Sequence, residues 1–342
     1  MADKVTALDI AERLSVSRST VSRAFDPMSR ISPDLRRRIL KVAHELGYRP
    51  TSAARLIMRE YPHVIAVVVR DVTNPVRAGI MTRLIRELER NGYLPLVFQV
   101  PNARTMSARI EAILSHLPSA VVMTGFRPPS SVLTLCSQRG TPTLILNRGG
   151  IKGLAANYVT SDHHGGGLKA AEVLTARGCR NIAFVSGQSV NDPDASEERM
   201  RGFLTGLERA GMVACAAHEG DHSYDSGVRA ACEFFGASAR PDGVFCSNDL
   251  MAMGFMDAAR ESFGLTAPDD YQIVGYDDVE MARWAAYRLS TIAQDMGAVI
   301  TATVKGVRQL VEKPDHSIRV VVPVDFVARS TTRDPALQEQ EK

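Results

Sequence analysis

The sequence predicts a small N-terminal all-α helix-turn-helix domain joined to an α/β region of doubly wound parallel sheets in two subdomains. Three observations carry that prediction. The chain has 342 residues, more than one ordinary hydrophobic core organises. Two short helical patterns split by a three-residue break lie within the first 25 residues. From about residue 63 to 335, strand-type and helix-type patterns alternate, as parallel sheets with helices on both faces require.

The first helix is expected from Ala7 to Leu14, capped by Thr6, with Leu8, Ile10, Ala11 and Leu14 at its apolar positions. Ser15-Val16-Ser17 breaks the period. Ser17 then caps a second helix running to about Phe25, with Ala11 small at the crossing and Val16 and Val21 sealing the joint. A third helix follows, with Ser32 as cap, Pro33 at its first position and Gly47 after its last turn. Its inner face is Leu35, Ile39, Val42, Ala43 and Leu46, and its outer face carries Arg36, Arg37, Arg38 and Lys41.

Charge singles out this segment. Residues 1–60 hold twelve Lys/Arg against seven Asp/Glu, whereas the remainder holds 29 against 31. On the second helix, Arg18, Ser19, Thr20, Ser22 and Arg23 share one side, and guanidinium and hydroxyl groups suit guanine edges and phosphates. A three-helix module with an ordinary solvated basic face has the same pattern.

The strings VTALDIAERLSVSRSTVSRAF and ISPDLRRRILKVAHELGYRP closely resemble the N-terminus of the lactose-repressor (LacI/GalR) family, and the resemblance continues along nearly the whole chain. It implies that Arg18 and Ser19 read bases in the major groove. Thr20, Ser22 and Arg23 would fix the helix on the duplex, with Thr6 and Ser17 beside them. It also implies a hinge helix over residues 51–62 that folds in the minor groove, with Ala54, Leu56 and Ile57 facing the DNA. At the wedge position this chain has Ile57 where leucine is usual, next to Leu56, and Thr51 where asparagine is usual.

For the α/β region, strands are expected at Val64–Val69, Pro95–Gln99, Ala120–Met123, Thr143–Leu146, Ile182–Val185, Gly243–Cys246 and Gln272–Gly275. Helices are expected at Arg77–Asn91, Thr105–Leu117, Leu168–Arg177, Glu197–Ala210, Ser226–Phe235 and Leu250–Phe263. The family resemblance implies a periplasmic-binding-protein-like pair of subdomains, with chain crossings near Ser161, Ile292 and Ile318. The N-subdomain would be about 63–160 and 293–318, the C-subdomain about 161–292 and 319–335, and 336–342 a tail.

Polar residues at strand ends converge on the cleft between such subdomains, beyond the carboxyl ends of the strands. They are Asn74 and Arg77, Asn147 and Arg148, Arg199, His222, Asn248-Asp249, Tyr276-Asp277-Asp278 and Gln294. The resemblance places Asn147, Arg199, Asn248, Asp277 and Gln294 at effector-binding positions, and His222 where many members have a stacking aromatic. Asn147 stands where sugar-binding members often have aspartate. Asn248-Asp249 also reads as a helix cap, which is the favoured reading for Asp249; Asp278 also reads as a loop residue, His222 as a surface residue, and Trp284 as a core plug or a cleft wall.

The resulting expectation is a homodimeric repressor that binds double-stranded operator DNA. A small effector, a neutral mono- or disaccharide, releases it, and no cofactor or metal takes part. A purine or a sugar acid acting as corepressor is the alternative. The tail DPALQEQEK lacks leucine heptads, which favours a dimer over a tetramer. Five cysteines without a C-x-x-C pair, no membrane-length apolar run and no signal-peptide pattern suit the cytoplasm. Two other classes fare worse. His164-Gly165-Gly166-Gly167 mimics a hydrolase oxyanion loop, but no G-x-S-x-G elbow accompanies it, and the glycines are better read as opening a helix capped by Asp162. A periplasmic sugar-binding protein would carry a leader and no helix-turn-helix.

Overall fold

The structure is a computed structural model that describes residues 5–25, 29–48, 63–70, 72, 75–125, 127–149, 156–187, 195–237 and 240–334. The chain divides into two compact units, Met1–His63 and Val64–Lys342.

The first unit contains α1 (Ala7–Leu14), α2 (Arg18–Ala24) and α3 (Pro33–Glu45). Ile10, Val21 and Ile39 form its fully buried centre, with Ala11, Ala24 and Ala43 letting the helices approach. Ser15 takes the left-handed conformation after α1, and Val16 N–H returns to the Ala11 carbonyl, which fixes the turn into α2. Two expectations need correction. Leu8 is 53% exposed, because Ala7, Ile10, Ala11 and Leu14 complete the inward stripe and position 8 lies outside it. Arg36 is not on the solvated face. It folds back, half-buried, and donates to the Ser29 carbonyl at 2.9 Å and the Ser29 hydroxyl at 3.2 Å.

The second unit is built on two six-stranded sheets. The first has the order β11 (Arg319–Val322), β5 (Asn157–Ser161), β4 (Thr143–Leu146), β3 (Ala120–Thr124), β1 (Val64–Val69), β2 (Leu94–Gln99), all parallel. The second has the order β12 (Val324–Val327), β10 (Thr291–Gln294), β9 (Gln272–Asp277), β8 (Gly243–Cys246), β6 (Ile182–Ser186), β7 (Ala216–Glu219). Only its β10–β12 pair is antiparallel.

Helices cover both faces of each sheet. On the first sheet, α4 (Pro75–Arg90) and α11 (Met296–Glu312) bury Leu84, Leu88, Val299 and Val307 on one side. On the other side α5 (Ala103–Leu114) and α6 (Ser130–Gln138) bury Met106, Ile110 and Val132. On the second sheet, α7 (His163–Ala176) and α8 (Ala195–Arg209) lie opposite α9 (Tyr224–Gly236) and α10 (Asp249–Phe263). Among the described residues no helix is long and apolar enough to cross a membrane.

Helices α7 and α8 touch backbone to backbone. A Cβ on Gly167 would lie 1.9 Å from the Arg199 carbonyl oxygen, and one on Gly202 would lie 1.9 Å from that of His164. The run His163-His164-Gly165-Gly166-Gly167 is therefore a packing device, opened by Asp162, whose carboxylate accepts from Gly165 N–H at 2.8 Å.

The chain passes between the sheets three times, after Ser161, after Gln294 and at Pro323. The third crossing corrects the expected one near Ile318. Arg319–Val322 pairs in register with Tyr158–Ser161, so it belongs to the first lobe. The N-terminal lobe is thus β1–β5 with α4–α6, α11 and β11. The remaining strands and helices of this unit make the C-terminal lobe.

Candidate functional site

In the first unit, α2 presents the side expected to face a ligand. Arg18, Ser19 and Arg23 are exposed, and Thr20 and Ser22 are half-buried. The Ser17 hydroxyl caps the helix by accepting from Thr20 N–H at 3.0 Å, and lies 2.7 Å from the Ser19 and 2.8 Å from the Thr20 hydroxyl. Thr6 does the same work for α1. Its N–H and hydroxyl both reach the Asp9 carboxylate, at 2.6 and 2.9 Å, and these bonds hold the Asp9 carboxyl below its ordinary range. Thr6 and Ser17 therefore hold the frame, and Arg18, Ser19 and Arg23 project from it. Ala54, Leu56 and Ile57, and with them the hinge, lie outside the described residues, as do Asn74 and the tail.

In the second unit the centre of the cleft is a buried ion pair. Arg199 on α8 and Asp277 at the end of β9 meet at 3.3 Å, each side chain only 5% exposed. A buried guanidinium persists only if its donors are used, and here they are. Nη1 donates to the Ser247 carbonyl, Nε to His163 Nδ1 at 3.3 Å, and the cation sits 3.7 Å over the Tyr276 ring. Arginine only donates, so Nδ1 of His163 is the unprotonated nitrogen, and it also accepts from the Tyr276 hydroxyl at 3.2 Å. Burial raises the Asp277 carboxyl above its ordinary value, and Arg199, His222, Gln294 and Arg77 pull it back down.

Gln294 donates its amide to Asp277 at 2.6 Å. That leaves Gln294 Oε1 buried without a partner among the described residues, and Asn147 Oδ1 is in the same condition. Asn147, His222, Asp277 and Asp278 all have positive φ, at 58°, 66°, 113° and 54°. Non-glycine residues are uncommon there, although asparagine, aspartate and histidine enter it more readily than most, and Asp277 at 113° lies beyond the left-handed helical range.

The cap reading of the Asn248-Asp249 pair narrows to one residue. Asn248, not Asp249, caps α10: its side-chain Oδ1 accepts from Met251 N–H at 2.8 Å and its side-chain amide donates to the His222 carbonyl at 3.1 Å. Asn248 thus shapes the cleft through the cap and the His222 loop. Asp249 is fully buried behind the strand ends, accepting from Thr291 Oγ1 at 2.5 Å and from Val279 N–H at 2.9 Å. The loop reading of Asp278 agrees with its contacts. Burial opposes its ionisation, but Arg283 at 2.7 Å and Arg329 at 2.5 Å hold its carboxyl below the usual range. Trp284 is 52% exposed and lines an opening of about 450 Å³ with Ile80, Arg83, Asp277, Gln294 and Met296, so it is a cleft wall and not a plug. His163 is a contributor that sequence patterns missed, and the stacking of the Tyr276 ring on Arg199 is a role that its place among the strand-end residues did not reveal. Their one signal is position, at the first crossing and at the end of a central strand.

Asp249 gives a pH prediction. Burial raises its carboxyl well above 3.8, with the charge of Asp277 adding to the effect. A carboxyl raised in the folded state stabilises at low pH, and that contribution is lost as pH rises through the folded pKa. The wild type should therefore lose stability relative to Asp249→Asn as pH goes from about 4 to 8. Urea melts of both proteins across that range measure the difference, and a flat difference would place the proton elsewhere.

Comparison with known proteins agrees with both units. Residues 6–51 match the family described as bacterial regulatory proteins, lacI family, and residues 171–332 match a periplasmic binding protein-like domain. The chain is 29% identical over 296 residues to the HTH-type transcriptional repressor PurR of Erwinia tasmaniensis, covering 84% of this chain and 85% of that one. It is 26% identical over 292 residues to the HTH-type transcriptional repressor CytR of Escherichia coli K12, covering 84% of each. The crystal structure of the lac repressor dimer bound to operator and the anti-inducer ONPF superposes with a TM-score of 0.83 at 26% identity, covering 97% of this chain and all of that one.

Proposed function

Because the chain belongs to the lacI family of bacterial regulatory proteins, whose members here are transcriptional repressors and not enzymes, we propose that it is a cytoplasmic homodimeric repressor released from a palindromic operator by a small polyhydroxylated effector. Two copies of α2 read the two half-sites, with Arg18 and Ser19 on base edges and Thr20, Ser22 and Arg23 on the backbone. The hinge segment with Ala54, Leu56 and Ile57 meets its counterpart at the operator centre.

The single observation that supports the effector reading is the buried polar set at the cleft. Asp277 is ready to accept hydroxyl protons once bound between Arg199 and Gln294, and the unmet acceptors Gln294 Oε1 and Asn147 Oδ1 call for further donors. A ring of vicinal hydroxyls supplies that many donors in a small volume. Trp284 stands at the rim and offers a flat face to a sugar, and the His222 ring packs beside Gly187, where a Cβ would be 2.0 Å from its Cε1. An effector that prefers one angle between the lobes shifts the equilibrium by its differential affinity for the two states.

Arg18 separates reading from holding. Arg18→Ala should lose roughly 10- to 100-fold in affinity for the cognate operator, and much less for random duplex. Arg23→Ala should weaken both alike. A gel shift at fixed salt decides it, and equal losses on both duplexes for Arg18→Ala would remove it from base readout.

A further inference from the structure

The cations expected on the outer face of α3 do not share one fate. Arg37, Arg38 and Lys41 are exposed, and Arg37 pairs with Asp34 in the same helix. Arg36 is half-buried and turns back toward the connection between α2 and α3, of which residues 26–28 lie outside the described residues. A terminal guanidinium nitrogen carries two hydrogens, and Arg36 Nη2 gives both to one residue. It donates to the Ser29 carbonyl at 2.9 Å and to the Ser29 hydroxyl at 3.2 Å. The Ser29 carbonyl also accepts from Ile31 N–H at 3.0 Å. The Ser29 hydroxyl in turn donates to the Arg23 carbonyl, in the last turn of α2. A chain of hydrogen bonds thus runs from α3, through the connection, to the carboxyl end of α2.

Helix α2 has seven residues, and the last carbonyls of so short a helix find few partners within it. Val21 and Ala24 bury its inner face. Apolar contact is non-directional, so burial alone does not fix how a short helix is turned or slid on its neighbours. Hydrogen bonds are directional, and those from a cation are the stronger kind. At the amino end of α2 the Ser17 hydroxyl supplies such a tie, accepting from Thr20 N–H at 3.0 Å. At the carboxyl end the tie is Arg36 through Ser29. The exposed Arg23 projects from the turn whose carbonyl is held, and the exposed Arg18 and Ser19 from the capped first turn.

Resting on the reading of α2 as the operator-reading helix, we propose that Arg36 is a positioning residue for DNA recognition. It does not touch the duplex. It acts through Ser29 on the carboxyl end of α2, and so sets the angle at which Arg18, Ser19 and Arg23 reach bases and phosphates.

The test uses the full chain at fixed salt, with a palindromic duplex that the wild type selects from a random pool. Arg36→Met and Ser29→Ala should each weaken binding about tenfold, and the double variant should be no weaker than the weaker single one, because both break one chain. Ser29→Ala removes no charge, so its loss isolates the tie from the cation. Losses that multiply in the double variant, or full affinity in Ser29→Ala, would overturn the proposal. So would a salt slope lower by about one for Arg36→Met than for Ser29→Ala, the mark of a direct phosphate contact. Hydrogen exchange of the free Arg36→Met protein reads the same tie without DNA. Protection should fall at Ala24 and Phe25 and persist at Ile10 and Ile39. Loss across all three helices would make Arg36 a support of the whole unit, and unchanged protection at Ala24 and Phe25 would break its link to α2; either result overturns the positioning role. A wild type that selects no duplex would count against α2 as the reading helix, and the exchange pattern would still decide whether Arg36 holds it.

Discussion

Replacing Arg199 with methionine should be among the most damaging single changes in the second unit. The side chain joins Asp277, His163, the Ser247 carbonyl and the Tyr276 ring, and methionine keeps the stem while removing every one of those partners. What remains is a buried carboxylate without its counter-charge. Removing one partner of a buried pair costs about 3–5 kcal/mol. The loss has a pH signature. Without Arg199 the Asp277 carboxyl, already raised by burial, rises further. A raised carboxyl stabilises the fold when protonated and costs stability as pH climbs through its folded pKa, so the deficit should be small in acid and largest above neutrality. Urea melts at about pH 5 and about pH 8 would show it. A loss below about 1 kcal/mol at both would mean that the pair is not the keystone of this cleft. The same variant should show no response to any effector.

Gly167→Ala should rival it. The new methyl would fall 1.9 Å from the Arg199 carbonyl oxygen and 2.8 Å from both the Arg199 carbonyl carbon and the Phe203 nitrogen. Those atoms are backbone in a helix and cannot turn aside, so α7 and α8 must separate. Overpacking commonly costs about 1–3 kcal/mol, and this contact belongs at or above the top of that range. Gly79 provides the control. It lies in α4 with nothing within 4 Å of its would-be Cβ, so Gly79→Ala should raise stability by roughly 0.5–1 kcal/mol through helix propensity alone. Equal effects at the two positions in a thermal melt would refute the close-approach argument. Because Arg199 moves with α8, Gly167→Ala should also weaken effector binding.

Several caps and most long helices were readable from the chain because their causes are local, although the longest described helix, Met296–Glu312, was not among those expected. Ser17, Ser32 and Asp162 each accept from the N–H three residues on, as their positions implied. Short strands were harder. Asn157–Ser161, Ala216–Glu219, Arg319–Val322 and Val324–Val327 are four or five residues long and mixed in polarity, and each becomes a strand by pairing with a distant neighbour. Arg199, Asp277 and Gln294 were legible as strand-end or helix-start polar groups, and they do come together. The Asn248-Asp249 pair signals a cap without saying which residue makes it, because adjacent asparagine and aspartate offer the same chemistry. The positive-φ turns at Asn147, His222, Asp277 and Asp278 fall on residue types that enter that region more readily than most, but most asparagines, aspartates and histidines do not, so composition alone does not locate them. The contact of Arg199 with His163 and Tyr276 unites residues 36 and 77 positions apart from it in the chain, and only the fold supplies it.

The strands on either side of Pro323 have a consequence for how the molecule is made. Arg319–Val322 closes the edge of one sheet and Val324–Val327 closes the edge of the other. A chain truncated before Arg319 would lack both, leaving one lobe with an open border at β5 and the other with an open border at β10. Open borders are templates for pairing with other chains. Such a truncation would therefore yield two adhesive edges, suited to aggregation or to capture by a chaperone. Because the chain crosses between the sheets three times, the two lobes cannot be produced as halves cut at a single point.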